Sequence, residues 1–174
     1  MSIVTQGYGP TDGGVIVVPK VCTEIIGIID SETYLRGNQN RIRMFIGDTR
    51  TLSLLVNSET YESKIYGQIK KYTRIPVDLN GAAIWFTVKY KTSDPDSAAL
   101  ISKASPLAGG SDSEIKILTP TADGKAEIYL LPEDSENIDP GLYVYGVQLR
   151  LITGDLYTII RDRISFKRDV LHGP

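Results

Sequence analysis

The hydrophobic pattern is most regular along Asp139-Pro140-Gly141-Leu142-Tyr143-Val144-Tyr145-Gly146-Val147-Gln148-Leu149-Arg150-Leu151. Pro140 and Gly141 set a turn. Tyr143, Tyr145, Val147, Leu149 and Leu151 then recur at every second residue, the period that puts side chains on one face of a sheet. The opposite face, with Leu142, Val144, Gln148 and Arg150, starts mixed and becomes polar. Such a strand belongs near the centre of an antiparallel sandwich, with Tyr143 or Tyr145 tying the preceding crossover to the sheet.

The same period marks other strands. Ile42–Ile46 and Thr51–Val56 are joined through Gly47-Asp48, with Leu52, Leu54 and Val56 facing inward. Pro76–Gly81 reads as a turn, because Asn-Gly tolerates positive φ, and it delivers a strand over Ala82–Lys91. In that strand Ile84, Phe86, Val88 and Tyr90 share a face and Trp85 falls on the other. Ile115 and Ile117, then Ala126, Ile128 and Leu130, predict a hairpin around Asp123-Gly124. Pro132–Glu136 is a crossover with one helical turn. The last strand is Leu156–Phe166, where adjacent Ile159 and Ile160 predict a bulge. Thr92–Ser113 is a long loop with brief pairing at Ala98–Ile101. Ser58–Arg74 fits both a helical stripe (Tyr61, Ile65, Ile69, Tyr72) and a strand period, so it is an insertion, either hairpin or short helix. About seven strands separated by turns at regular spacing predict an all-β chain, an immunoglobulin-like antiparallel β-sandwich.

Residues 1–37 break this regularity. Gly and Pro punctuate short β-branched runs such as Val15–Val18 and Glu24–Ile29, which predicts an extended amino-terminal arm. The division expected is the arm at 1–37, the sandwich at 38–170 with its insertion at 58–74, and a tail at 171–174. Apolar residues on an arm need cover, supplied either by the domain itself or, if the arm docks, by the surface of another subunit. Candidate interface residues are Ile3, Val4, Tyr8, Val15 and Val17 in the arm, Tyr61, Tyr66 and Tyr72 in the insertion, and Trp85 on the outward strand face.

Composition narrows the chemistry. A net charge of −2, with cations scattered among acids, argues against nucleic acid as a partner. No apolar run approaches the roughly 20 residues of a spanning helix, and the amino terminus lacks a secretion pattern, so no membrane partner is expected. Cys22 is the only cysteine and His172 the only histidine. Together they cannot make a zinc site, and a histidine close to the end of the chain is poorly placed to be a catalytic base. Asp94, Asp96, Asp112 and Glu114 match no ordered calcium loop, and Glu133, Asp134 and Glu136 suit a turn and helix start better than an acid–base pair. No cofactor, metal or catalytic residue is expected. The ten tyrosines favour protein interfaces or strand faces, with base or sugar stacking as the rival use.

Three ordered segments carry a resemblance. They are Gly47-Asp48-Thr49 leading into a hydrophobic strand, Val77–Ala82 leading into Ile84–Lys89, and Leu131–Asp134 through Pro140–Tyr145 to Tyr157-Thr158-Ile159. Their order and spacing resemble the amino-terminal immunoglobulin-like domain of the baseplate upper protein family of tailed bacteriophages, over about residues 40–170. The opening Val4–Gly9 is also similar to the amino terminus of small phage structural proteins. The resemblance implies a virion component made in the host cytoplasm: a non-enzymatic β-sandwich adaptor, homo-oligomeric in the particle, whose partners are other virion structural proteins. A neck, tail-tube or capsid decoration role stands beside the baseplate one. The rival classes are a carbohydrate or host-surface binding module using Tyr61, Tyr66, Tyr72 and Trp85, and a hydrolase using the acidic loop.

Overall fold

The Tyr-Val-Leu strand does lie centrally in a sheet, and the strands around it follow an immunoglobulin order. The computed structural model describes residues 20–29, 40–63 and 69–168. Among these, the strands are β1 (Lys20–Ile29), β2 (Ile42–Phe45), β3 (Arg50–Ser63), β4 (Ile69–Pro76), β5 (Ala83–Lys89), β6 (Ile101–Ala104), β7 (Ile115–Ile117), β8 (Lys125–Leu130), β9 (Gly141–Arg150) and β10 (Leu156–Lys167), with a helical turn α1 (Pro132–Ser135) between β8 and β9. One five-stranded sheet runs β1-β3-β8-β7, with β4 also on β3, and the second runs β2-β10-β9-β5-β6. With β1, β3, β8 and β7 as strands A, B, E and D, and β5, β9 and β10 as C, F and G, this is the immunoglobulin arrangement, and β6 takes the C′ position of variable-type domains. The ladders are antiparallel except for β2 against β10, which is parallel.

Three of the ten strands, β1, β4 and β6, occupy stretches that the sequence presents as arm, insertion and loop. Lys20–Ile29 pairs with β3 over ten residues, and Ile28 and Ile29 enter the core. Pro19 precedes this strand rather than interrupting it. Gly27 suits a close crossing, because a Cβ there would stand 2.8 Å from the Ile160 side chain. Within the ambiguous insertion, β3 continues to Ser63 and β4 returns antiparallel beside it, so the segment is a hairpin. β3 is thus shared along its length, pairing with β8 over Arg50–Leu55 and with β4 over Asn57–Ser63. In the long loop the pairing falls at Ile101–Ala104, just past the expected Ala98–Ile101, and Pro106 follows it closely. β2 and β3, adjacent in sequence, lie in different sheets; Gly47 turns the chain at φ +82° and donates its N–H to Ser135 Oγ at 2.9 Å.

The expected inward faces are the core. Leu52, Leu54 and Val56 of β3, Ile84, Phe86 and Val88 of β5, and Tyr145, Val147 and Leu149 of β9 are all buried. Phe86 and Tyr145 meet across the sheet with ring centroids 5.5 Å apart. Tyr90, expected on the same face, is instead exposed, because β5 ends at Lys89; its ring lies 5.2 Å from that of Tyr143. The adjacent isoleucines mark a real irregularity, since the β9–β10 register shifts between Thr158 and Ile160.

Two contacts fasten the crossover at one corner of the sandwich. Tyr143 donates its hydroxyl to the Asp139 carbonyl at 2.7 Å, the tyrosine corner of immunoglobulin-like domains. Burial of this phenol, with Tyr90 and Asp139 nearby, raises its pKa above the usual value, so it remains a donor at neutral pH. Tyr143→Phe keeps the ring and removes the bond, so it is expected to cost about 1 kcal/mol in urea unfolding. An unshifted midpoint would remove the corner from the list of stabilising contacts. The second contact centres on Asp134, which accepts the Leu131 N–H at 2.7 Å and pairs with Lys103 Nζ of β6 at 2.7 Å. Both side chains are nearly buried, at 9% and 14% exposure.

Candidate functional site on the outer face of the second sheet

A cleft lies on the solvent side of β10-β9-β5-β6. Residues of like parity on paired strands form rows across this face. One row is Thr158, Gln148, Trp85 and Ala104, and the next is Arg161, Gly146, Thr87 and Ser102. The β10 members depend on the bulge, which puts Arg161 rather than Ile160 outward.

The floor is low because Gly146 carries no side chain; a Cβ there would have Ile160 O at 3.7 Å and Thr87 Oγ1 at 4.0 Å as its nearest neighbours. One wall is the turn after β5, held by Lys89, whose ammonium donates to Asp94 O at 2.9 Å and Asp96 Oδ1 at 2.6 Å. Asp94 also accepts the Lys91 N–H at 2.9 Å. The opposite wall includes Gly154 and Leu156 of the β9–β10 hairpin. Between them Arg150 places its guanidinium carbon 5.4 Å from the Trp85 ring centroid, a cation–π contact that holds both side chains at the rim. The resulting cleft has a volume of about 570 Å³, within the range of small-ligand sites.

This cleft contains Trp85, anticipated from strand parity, and several residues that were not anticipated. Arg150, Arg161, Ser102 and Gln148 come from three other strands. A polar outer face on β9 was visible in the sequence, but its neighbours depend on strand order. The remaining candidate tyrosines are elsewhere. Tyr61 and Tyr72 are register partners on β3 and β4 in the first sheet, whereas Trp85 is on β5 of the second. Ile3, Val4, Tyr8, Val15, Val17, Tyr66 and His172 lie outside the described residues.

The loop acids act locally. The Asp96 carboxylate pairs with Lys89, the Asp94 carboxylate accepts the Lys91 N–H, and Glu114 Oε2 accepts the Ala104 N–H at 3.2 Å. Among the described residues no three His, Cys, Asp or Glu side chains gather as metal ligands. No described helix is long and apolar enough to cross a membrane.

No family model matches this chain. No curated protein matches it either. Among solved structures it is similar to a family 123 glycoside hydrolase from Clostridium perfringens, described for glycolipid glycan hydrolysis, at 12% identity and a TM-score of 0.32. That similarity covers 87% of this chain and 28% of the hydrolase chain, so the present chain spans less than a third of its length.

Proposed function

We propose that this chain is a non-enzymatic adaptor of a tailed-bacteriophage virion, a rigid sandwich that connects neighbouring subunits in a baseplate, tail or neck. The observation that supports this reading is the pairing of a fastened corner with unburied apolar surface. Tyr143 and the Lys103–Asp134 pair stiffen the crossover. Leu142, Ile152 and Leu156, on β9, β10 and their connecting hairpin, are 48%, 74% and 60% exposed in the isolated chain, and a neighbouring subunit would cover them. The three segments that carry the baseplate resemblance fall on the lead-in to β3, the turn into β5 with β5 itself, and the fastened crossover with the starts of β9 and β10.

Mass spectrometry and cryo-EM of purified particles from the virus that encodes this chain test the proposal. The expected result is stoichiometric chain with density in the tail, neck or baseplate. Density on the capsid exterior would replace the adaptor with a decoration role, and absence from washed particles would overturn a virion role altogether.

A further inference from the structure

The cleft on the second sheet has a chemistry of its own that an adaptor role does not use. Its floor and rim offer side-chain hydroxyls from Thr87 and Ser102, the Gln148 amide, the Trp85 ring and the guanidinium groups of Arg150 and Arg161. Arg161 is exposed and has no ion-pair partner among the described residues. Among the described residues Arg150 meets the face of Trp85, a contact that leaves guanidinium N–H groups available to donate. Lys89, by contrast, is already satisfied by Asp94 and Asp96. Two guanidinium groups therefore flank a polar floor in a chain whose net charge is −2.

The backbone of this floor is fully committed. β9 pairs with β10 on one side and β5 on the other, so the central strands have no free ladder groups for an incoming peptide. Extended peptides gain much of their affinity from such backbone pairing at a sheet edge. What the floor offers instead is a set of side-chain hydroxyl and amide groups, spaced by the roughly 4.8 Å between strands, beside one aromatic ring. A sugar suits that set: its hydroxyls pair with Thr87, Ser102 and Gln148, and its apolar C–H groups lie against the exposed part of the half-buried Trp85 indole, beside the Arg150 guanidinium. A planar carboxylate on the sugar completes the match, because arginine binds it in a fork of two parallel N–H···O bonds.

We infer that the outer-face cleft binds a carboxylate-bearing sugar, with Arg161 and Arg150 gripping the carboxylate and Trp85 supporting the ring. Gly146 makes room for it, since any side chain at that position would rise from the floor.

Calorimetric titration of the full chain tests this with five probes: a glucuronate-terminated trisaccharide, an N-acetylneuraminate-terminated trisaccharide, the carboxyl-reduced form of each, and a tetraglutamate peptide. At least one acidic sugar is expected to bind, and its reduced form about tenfold or more weakly, the worth of a charge-assisted hydrogen bond. Arg161→Gln is expected to lose the same factor while leaving the thermal unfolding curve unchanged, because Arg161 is exposed. Arg43→Gln, on the neighbouring β2, serves as the control and is expected to leave binding intact. Absence of binding by both acidic sugars up to about 10 mM, the weak limit of useful affinity, overturns the proposal. So does equal binding of acidic and reduced forms, or equal binding of tetraglutamate, which would show charge attraction without sugar recognition. None of these outcomes bears on whether the chain is found in particles, so the two proposals fail separately.

Discussion

Asp134→Ala is expected to destabilise the protein by about 3 kcal/mol, near the lower end for breaking a buried ion pair. Two losses add. The Leu131 N–H loses its acceptor at the start of α1, and Lys103 keeps a charge at 8% exposure with its partner removed. In a chain of 174 residues this corresponds to a fall of roughly 6 to 12 °C in Tm. The double variant Lys103→Met with Asp134→Asn separates the causes. The asparagine oxygen still accepts from Leu131, and no unpaired charge remains, so most of the lost stability should return. A wild-type Tm for Asp134→Ala would mean that water reaches the pair and that it fastens nothing.

Phe86→Ala is expected to cost more, about 3 to 5 kcal/mol, because the site cannot collapse around the vacancy. Phe86 is fully buried between two paired strands and contacts the Tyr145 ring. Its neighbours Ile84 and Val88 are held by the same ladders, so relaxation is limited. Urea unfolding should show a lower midpoint with an unchanged slope, the mark of altered stability without altered exposure of surface. Phe86→Leu, which leaves a smaller cavity, should fall between the two. If alanine and leucine behave alike, Phe86 is not filling the space assigned to it.

Much of this fold was legible because its central strands alternate cleanly. Tyr143, Tyr145, Val147 and Leu149 point inward as their period requires, and Trp85 points outward by the same parity. The tyrosine corner and the bulge near Ile159 and Ile160 were also readable locally, the first from a turn ahead of a tyrosine and the second from two adjacent apolar residues that cannot both face the core of a regular strand. What escaped has a nonlocal cause. β6 carries Lys103 on its inward side, which breaks the apolar alternation, and the residue that neutralises it lies on α1, two strands later in the chain. β1 was obscured by Gly27, which serves close packing rather than looseness, and by the Gly and Pro residues that precede it in the sequence. The cleft was hidden for a related reason: Ser102, Gln148 and Arg161 meet Trp85 only after strand order and the bulge set the register.

The parallel pairing of β2 with β10 determines how the domain carries load. These strands run in the same direction, Ile42 beside Ile164 and Phe45 beside Lys167. Tension that reaches the start of β2 and the end of β10 pulls the two strands past each other along their axes. All rungs between them resist together, as in a lap joint, whereas a hairpin pulled at its open end parts one rung at a time. A domain joined this way resists axial tension through all of these rungs at once before it yields.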